Sequence, residues 1–68
     1  MYQIKMSYML PDGHTVDKVL EYQGRHYADE VFDRWYRAYK ICLDDGKILE
    51  YSMVMTETHE LYSVLSSR

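Results

Sequence analysis

The chain has 68 residues, 47% of them apolar, with eleven acidic residues against eight basic ones and a net charge of -3. One cysteine, Cys42, excludes an internal disulfide, and no run approaches the ~18 apolar residues of a membrane span. The acidic balance disfavours any function that rests on attraction to phosphate, and the N-terminus has no basic region followed by an apolar core, so a folded cytoplasmic chain without a signal peptide is expected.

Residues 2 to 10 alternate, with Tyr2, Ile4, Met6, Tyr8 and Leu10 on one side and Gln3, Lys5, Ser7 and Met9 on the other, which is the period of a half-buried strand. Pro11, Asp12 and Gly13 carry turn chemistry, and Val16, Leu20 and Tyr22 then alternate with Asp17, Glu21 and Gln23. Residues 2 to 23 therefore predict a β-hairpin. From Ala28 the period becomes helical: Ala28, Val31, Phe32, Trp35, Tyr39 and Cys42 share one arc, opposite Glu30, Asp33, Arg34, Arg37 and Lys40. Glu30 with Arg34 and Asp33 with Arg37 have i,i+4 spacing, and a start at Ala28 puts Asp29 and Glu30 in the first turn. Ile41 would project from the charged face, so the helix is expected over 28 to 40 and to loosen near residue 40, with 41 to 43 open between its last turn and the start of a short strand. Asp44, Asp45 and Gly46 form the next turn, and Leu49, Tyr51, Met53 and Met55 alternate in a third strand. For residues 57 to 68 the i,i+3 and i,i+4 spacing of Leu61, Val64 and Leu65 favours a short helix, against a fourth strand carrying Tyr62 and Val64 after a turn at Thr56 to His59.

The expected fold is α+β, a three- or four-stranded antiparallel sheet with one amphipathic helix packed on one face. Its core would join Val31, Phe32, Trp35 and Tyr39 to Ile4, Met6, Leu20, Leu49, Tyr51 and Met53. Trp35→Ala in such a core is expected to cost about 3 to 5 kcal/mol.

Few residues point to chemistry. His14, His26 and His59 lack metal-ligand spacing, and the Asp44 to Gly46 turn lacks the alternating ligands of a calcium loop. Cys42 has no base at a recognisable spacing and lies on the apolar arc, so it reads as a buried hydrophobe. No nucleophile elbow or phosphate-cradling glycine loop is present, so neither enzymatic activity nor a cofactor is expected. Arg34, Arg37 and Lys40 form a basic ridge near Tyr27 and Tyr36 that would suit nucleic acid, but Glu30 and Asp33 neutralise it and the chain is acidic. Conversely, Asp17 and Glu21 on the hairpin and Asp44 and Asp45 on the second turn could present charge where a protein expects phosphates.

Eight tyrosines with one tryptophan and one phenylalanine are many for so small an interior. Tyrosine offers large contact area at little entropic cost, so rings left outside the core are candidates for a partner surface. Tyr2, Tyr8, Tyr22, Tyr39 and Tyr51 lie in the apolar phase of their elements, which leaves Tyr27, Tyr36 and Tyr62. A homodimer is a further expectation, since small domains gain stability from a second subunit.

The strand exit Glu21-Tyr22-Gln23-Gly24 and the helix start from Asp29 through Val31, Phe32 and Trp35 to Tyr36 resemble the small phage inhibitors of uracil-DNA glycosylase, over roughly residues 4 to 40. That resemblance implies a dimer that covers the DNA-binding surface of its target, with acidic groups standing in for phosphates and an apolar pocket gripping a protruding side chain. The longer C-terminal half and Arg34 and Arg37 depart from the pattern. In size and acidity the chain is equally similar to other phage antagonists, including anti-CRISPR proteins. The expected function is thus non-enzymatic: a protein that docks on a larger host protein and inhibits or modulates it. A nucleic-acid accessory protein and a self-associating assembly subunit are the alternatives.

Overall fold

Alternating apolar side chains in the first third of the chain produce the expected hairpin, β1 (Tyr2–Met9) and β2 (Thr15–Tyr22). The computed structural model describes residues 1–67. The Leu10 carbonyl accepts the Gly13 amide at 2.9 Å, and Gly13 takes φ +93°, a conformation costly for any residue with a Cβ. Asp12 locks the turn, accepting the His14 backbone N–H at 2.9 Å and the His14 ring at 2.8 Å. The His14 backbone hydrogen bond, reinforced by the ring, holds the Asp12 carboxyl below its ordinary pKa.

The helix α1 spans Arg25–Asp44, longer at both ends than the 28 to 40 expected from periodicity. At its start, extended Gly24 (φ -90°, ψ 131°) serves as N-cap and its carbonyl accepts the Ala28 amide at 3.0 Å. Asp29 and Glu30 consequently lie in the second turn, and the first turn holds no acid. At the other end, Lys47 N–H reaches the Cys42 carbonyl at 2.9 Å and Gly46 N–H the Leu43 carbonyl at 3.1 Å, with Gly46 at φ +75°. This is a Schellman closure, which satisfies the last carbonyls and sustains the helix past residue 40 although Ile41 remains 62% exposed.

After the helix come β3 (Glu50–Glu57) and β4 (Glu60–Ser66), the latter in place of the expected C-terminal helix. Thr58 and His59 join them with φ of +49° and +71°, the sign a two-residue type I′ hairpin demands, and the Thr58 amide is anchored on the Met1 carbonyl at 2.9 Å. All pairings are antiparallel and the strand order is β2-β1-β3-β4. The segment from β2 through α1 to β3 therefore crosses over β1, which places the helix on one face of the sheet. Its 20 residues, about 30 Å at 1.5 Å per residue, match the strands' length.

Under the helix, Ala28, Val31, Phe32 and Tyr39 pack on Tyr2, Ile4, Met6, Tyr51, Met53 and Met55. Ile4, Met53 and Met55 are fully buried. Two members of the expected core change places: Leu49 is exposed and Ile48 is buried, because β3 begins only at Glu50 and the turn brings Ile48 inward. Trp35, Leu20 and Cys42 are half-buried at the core margin rather than inside it. Among the described residues, no helix is long and apolar enough to cross a membrane.

Candidate functional site

Antiparallel pairing fixes what the sheet presents on the face away from the helix. Across the ladder, Val19, Lys5, Val54 and Val64 align in one row, with Asp17, Ser7, Ser52 and Ser66 on one side of it. On the other side, Glu21, Gln3, Thr56 and Leu61 align. No element among the described residues covers this surface. Val19 and Val64 are each 53% exposed and Leu61 70%, so an apolar strip with one central cation faces outwards, bordered by small polar side chains.

A bulge creates part of that strip. Met55 pairs with Ser63 but Thr56 with Leu61, so Tyr62 is an extra residue in β4. Leu61 and Val64 thereby share the open face although three residues apart, while Tyr62 turns to the helix side, its ring 5.8 Å from Tyr2 and edge-on. Arg25 lies over the Tyr62 ring at 5.2 Å and approaches Asp29 at 3.8 Å. The Tyr62 hydroxyl beside it raises the Arg25 pKa further above its ordinary value.

The expected partner tyrosines are thus dispersed. Tyr27, 57% exposed, packs edge-on against Tyr22 at 5.0 Å. Tyr36 is half-buried on the opposite flank of α1, 6.2 Å from Tyr51. Tyr36 and Tyr62 close the margins of the core while Tyr27 stays outside it, and the three do not form one surface.

The four candidate acids also separate. Asp17 and Glu21 project together from edge strand β2 on the open face, four residues and roughly 13 Å apart. Asp44 and Asp45 lie at the C-terminal end of α1, in the other layer. On the helix ridge, Asp33 pairs with Arg37 at 2.9 Å, whereas Glu30 faces His26 at 3.4 Å rather than Arg34. Arg34 and Lys40 are exposed without an ion pair among the described residues. Two exposed cations interleaved with Glu30, Asp33 and Asp44 give a mixed face, a poor electrostatic footprint for nucleic acid.

No family model matches this chain, and no curated protein or solved structure matches it either. Among the described residues no three His, Cys, Asp or Glu side chains are grouped to hold a metal ion. The open face was hidden in the sequence because Val19 and Val54 occupy the polar phase of their strands. Apolar residues out of phase on adjacent strands were the available signal.

Proposed function

We propose that this chain is a small non-enzymatic binding protein that docks on a larger protein through the open face of its sheet and modulates it. The observation that carries this reading is the uncovered strip of Val19, Val54, Val64 and Leu61. Four strands about 4.8 Å apart and about 27 Å long offer on the order of 500 Å² of flat surface, which with its rim approaches the ~800 Å² that each partner buries in a stable complex. Val and Thr on a rigid sheet lose little entropy on contact. Asp17 and Glu21 at the β2 edge favour a basic partner surface, such as one built to hold nucleic acid, and this supports the inhibitor reading.

The test compares wild type with a Val19→Asp/Val64→Asp variant and an Asp17→Lys/Glu21→Lys variant, each confirmed folded by its melting curve, as baits in host lysate. The expected result is a discrete protein retained by wild type, lost with the valine changes and weakened by the charge reversals in a salt-dependent manner. Retention by all three chains would refute docking through this face. A wild-type dimer in light scattering that the valine changes dissociate would refute it too, and would make the face a self-association surface.

A further inference from the structure

The two edge strands of the sheet differ in charge. β2 bears Asp17, Lys18 and Glu21, the kind of side chain that keeps an exposed strand from pairing, whereas β4 carries no charge from Leu61 to Ser66 and leaves Leu61 and Val64 exposed. The backbone of β4 is also open. The Ser67 amide donates to the Tyr51 carbonyl at 3.1 Å, so alternation along the antiparallel ladder turns the Leu65 and Ser63 backbones towards Met53 and Met55. The Val64 N–H and C=O therefore point away from β3, and no strand among the described residues lies on that side.

The edges differ again when each is set against a copy of itself about a two-fold axis. For β2, the registers that join the most residues are centred on Lys18, which opposes two lysines, and on Val19, which opposes Asp17 to Glu21. Like charges directly opposite are destabilising. Two β4 strands centred on Val64 instead oppose Val64 to Val64, Ser63 to Leu65 and Tyr62 to Ser66, with no like charges. Such pairing is isologous and closes at two copies, because it consumes both β4 edges and leaves a charged β2 at either end. The bulge at Tyr62 confines regular pairing to the end of β4 beyond it, so the contact is short and the dimer weak.

We propose that a second copy of this chain pairs with β4, antiparallel and centred on Val64, joining two four-stranded sheets into one. The row of Val19, Lys5, Val54 and Val64 then runs on into the second copy. The open face doubles to on the order of 1,000 Å², beyond the ~800 Å² that each partner buries in a stable complex. The dimer forms at the edge, so it stands or falls separately from docking through the face.

Sedimentation of the full chain from about 5 to about 500 µM, the range of weak interfaces, should show the 8.2 kDa species giving way to one of twice that mass. Val64→Lys sets two cations across the axis and should raise the midpoint concentration about tenfold or more. Val19→Lys is the same change on the far edge strand, at a valine that is also 53% exposed, and should leave the midpoint within about twofold. Val19 is changed alone because changing it together with Val64 would open either an edge dimer or a face-to-face one. Amide exchange on the wild type, followed by NMR, is a check that no variant's folding affects. The Val64 N–H should exchange fast in dilute solution and slow as concentration rises, with the Val19 N–H on the other edge unchanged. A chain that stays monomeric throughout, or one that forms species larger than a dimer, would overturn the proposal. A dimer lost equally with Val19→Lys would overturn it too, by assigning self-association to the open face.

Discussion

Tyr39→Phe should stabilise the free protein, an unusual sign for a change at a buried site. The substitution keeps the ring contacts with Tyr8, Trp35 and Tyr51 and deletes a hydroxyl that has no partner among the described residues. An unmet buried polar group costs about 1–3 kcal/mol, so a gain of about 1 kcal/mol is expected, equivalent to roughly 4–8 °C in Tm for a domain of this size. The effect should grow in alkali. With the folded pKa near 12 against about 10 in the unfolded chain, the unfolded state ionises first. The neutral-Tyr39 contribution is therefore fully present below pH 10 and declines as pH rises towards 12, reaching about 2 kcal/mol lost at pH 12 by linkage. Guanidinium unfolding followed by far-UV circular dichroism from pH 7 to pH 11.5 measures both terms, with wild type minus variant cancelling the other tyrosines. An unchanged or lower Tm for Tyr39→Phe at pH 7 would show that the hydroxyl is satisfied and refute the reasoning.

Met53→Ala, at a fully buried site, should cost about 2–5 kcal/mol, a large part of the ~3–10 kcal/mol a chain this long holds, whereas neighbouring Val54→Ala on the open face should cost less than about 1 kcal/mol. Urea midpoints check the contrast, and equal losses would deny that the two faces differ. Trp35→Ala should cost only about 2 kcal/mol, below the 3 to 5 expected for a core ring, because Trp35 is half-buried. A soluble variant with a cooperative, lowered transition fits this, and an unfolded one does not. Replacing Thr58-His59 by Asn-Gly should raise stability by about 1–2 kcal/mol, since both native residues hold positive φ at a cost that Asn and Gly largely avoid. A lower melting temperature would count against the type I′ geometry.

Much of the fold was legible in the first 56 residues because each element there carried its own local signal. The hairpin was announced by alternation around Pro11-Asp12-Gly13, and the helix by the arc from Ala28 to Cys42. The helix ends were less legible. Its N-cap is a glycine without a side-chain cap, and its exit depends on a Schellman closure that holds an apolar Ile41 on the solvent face. The C-terminal strand was one of two readings its pattern allowed, the other a short helix that its spacing favoured, for a specific reason. Its turn uses Thr and His where a type I′ hairpin ordinarily shows Asn or Gly, and its bulge spaces Leu61 and Val64 three apart, a helical interval.

The same division runs through the candidate sites. Sequence by itself determined the α+β class, the apolar phase of β1 and β3, the amphipathic arc of α1 and the want of metal or nucleophile spacing, because these depend on periodicity and on neighbours along the chain. Only tertiary structure decided that Val19, Val54 and Val64 form one strip, that Tyr27, Tyr36 and Tyr62 do not share one surface, and that Tyr39 buries an unpartnered hydroxyl beside Trp35. Those facts depend on strand order, on a bulge and on how the helix lies across β1, which bring together residues distant in the chain and leave no mark on local pattern.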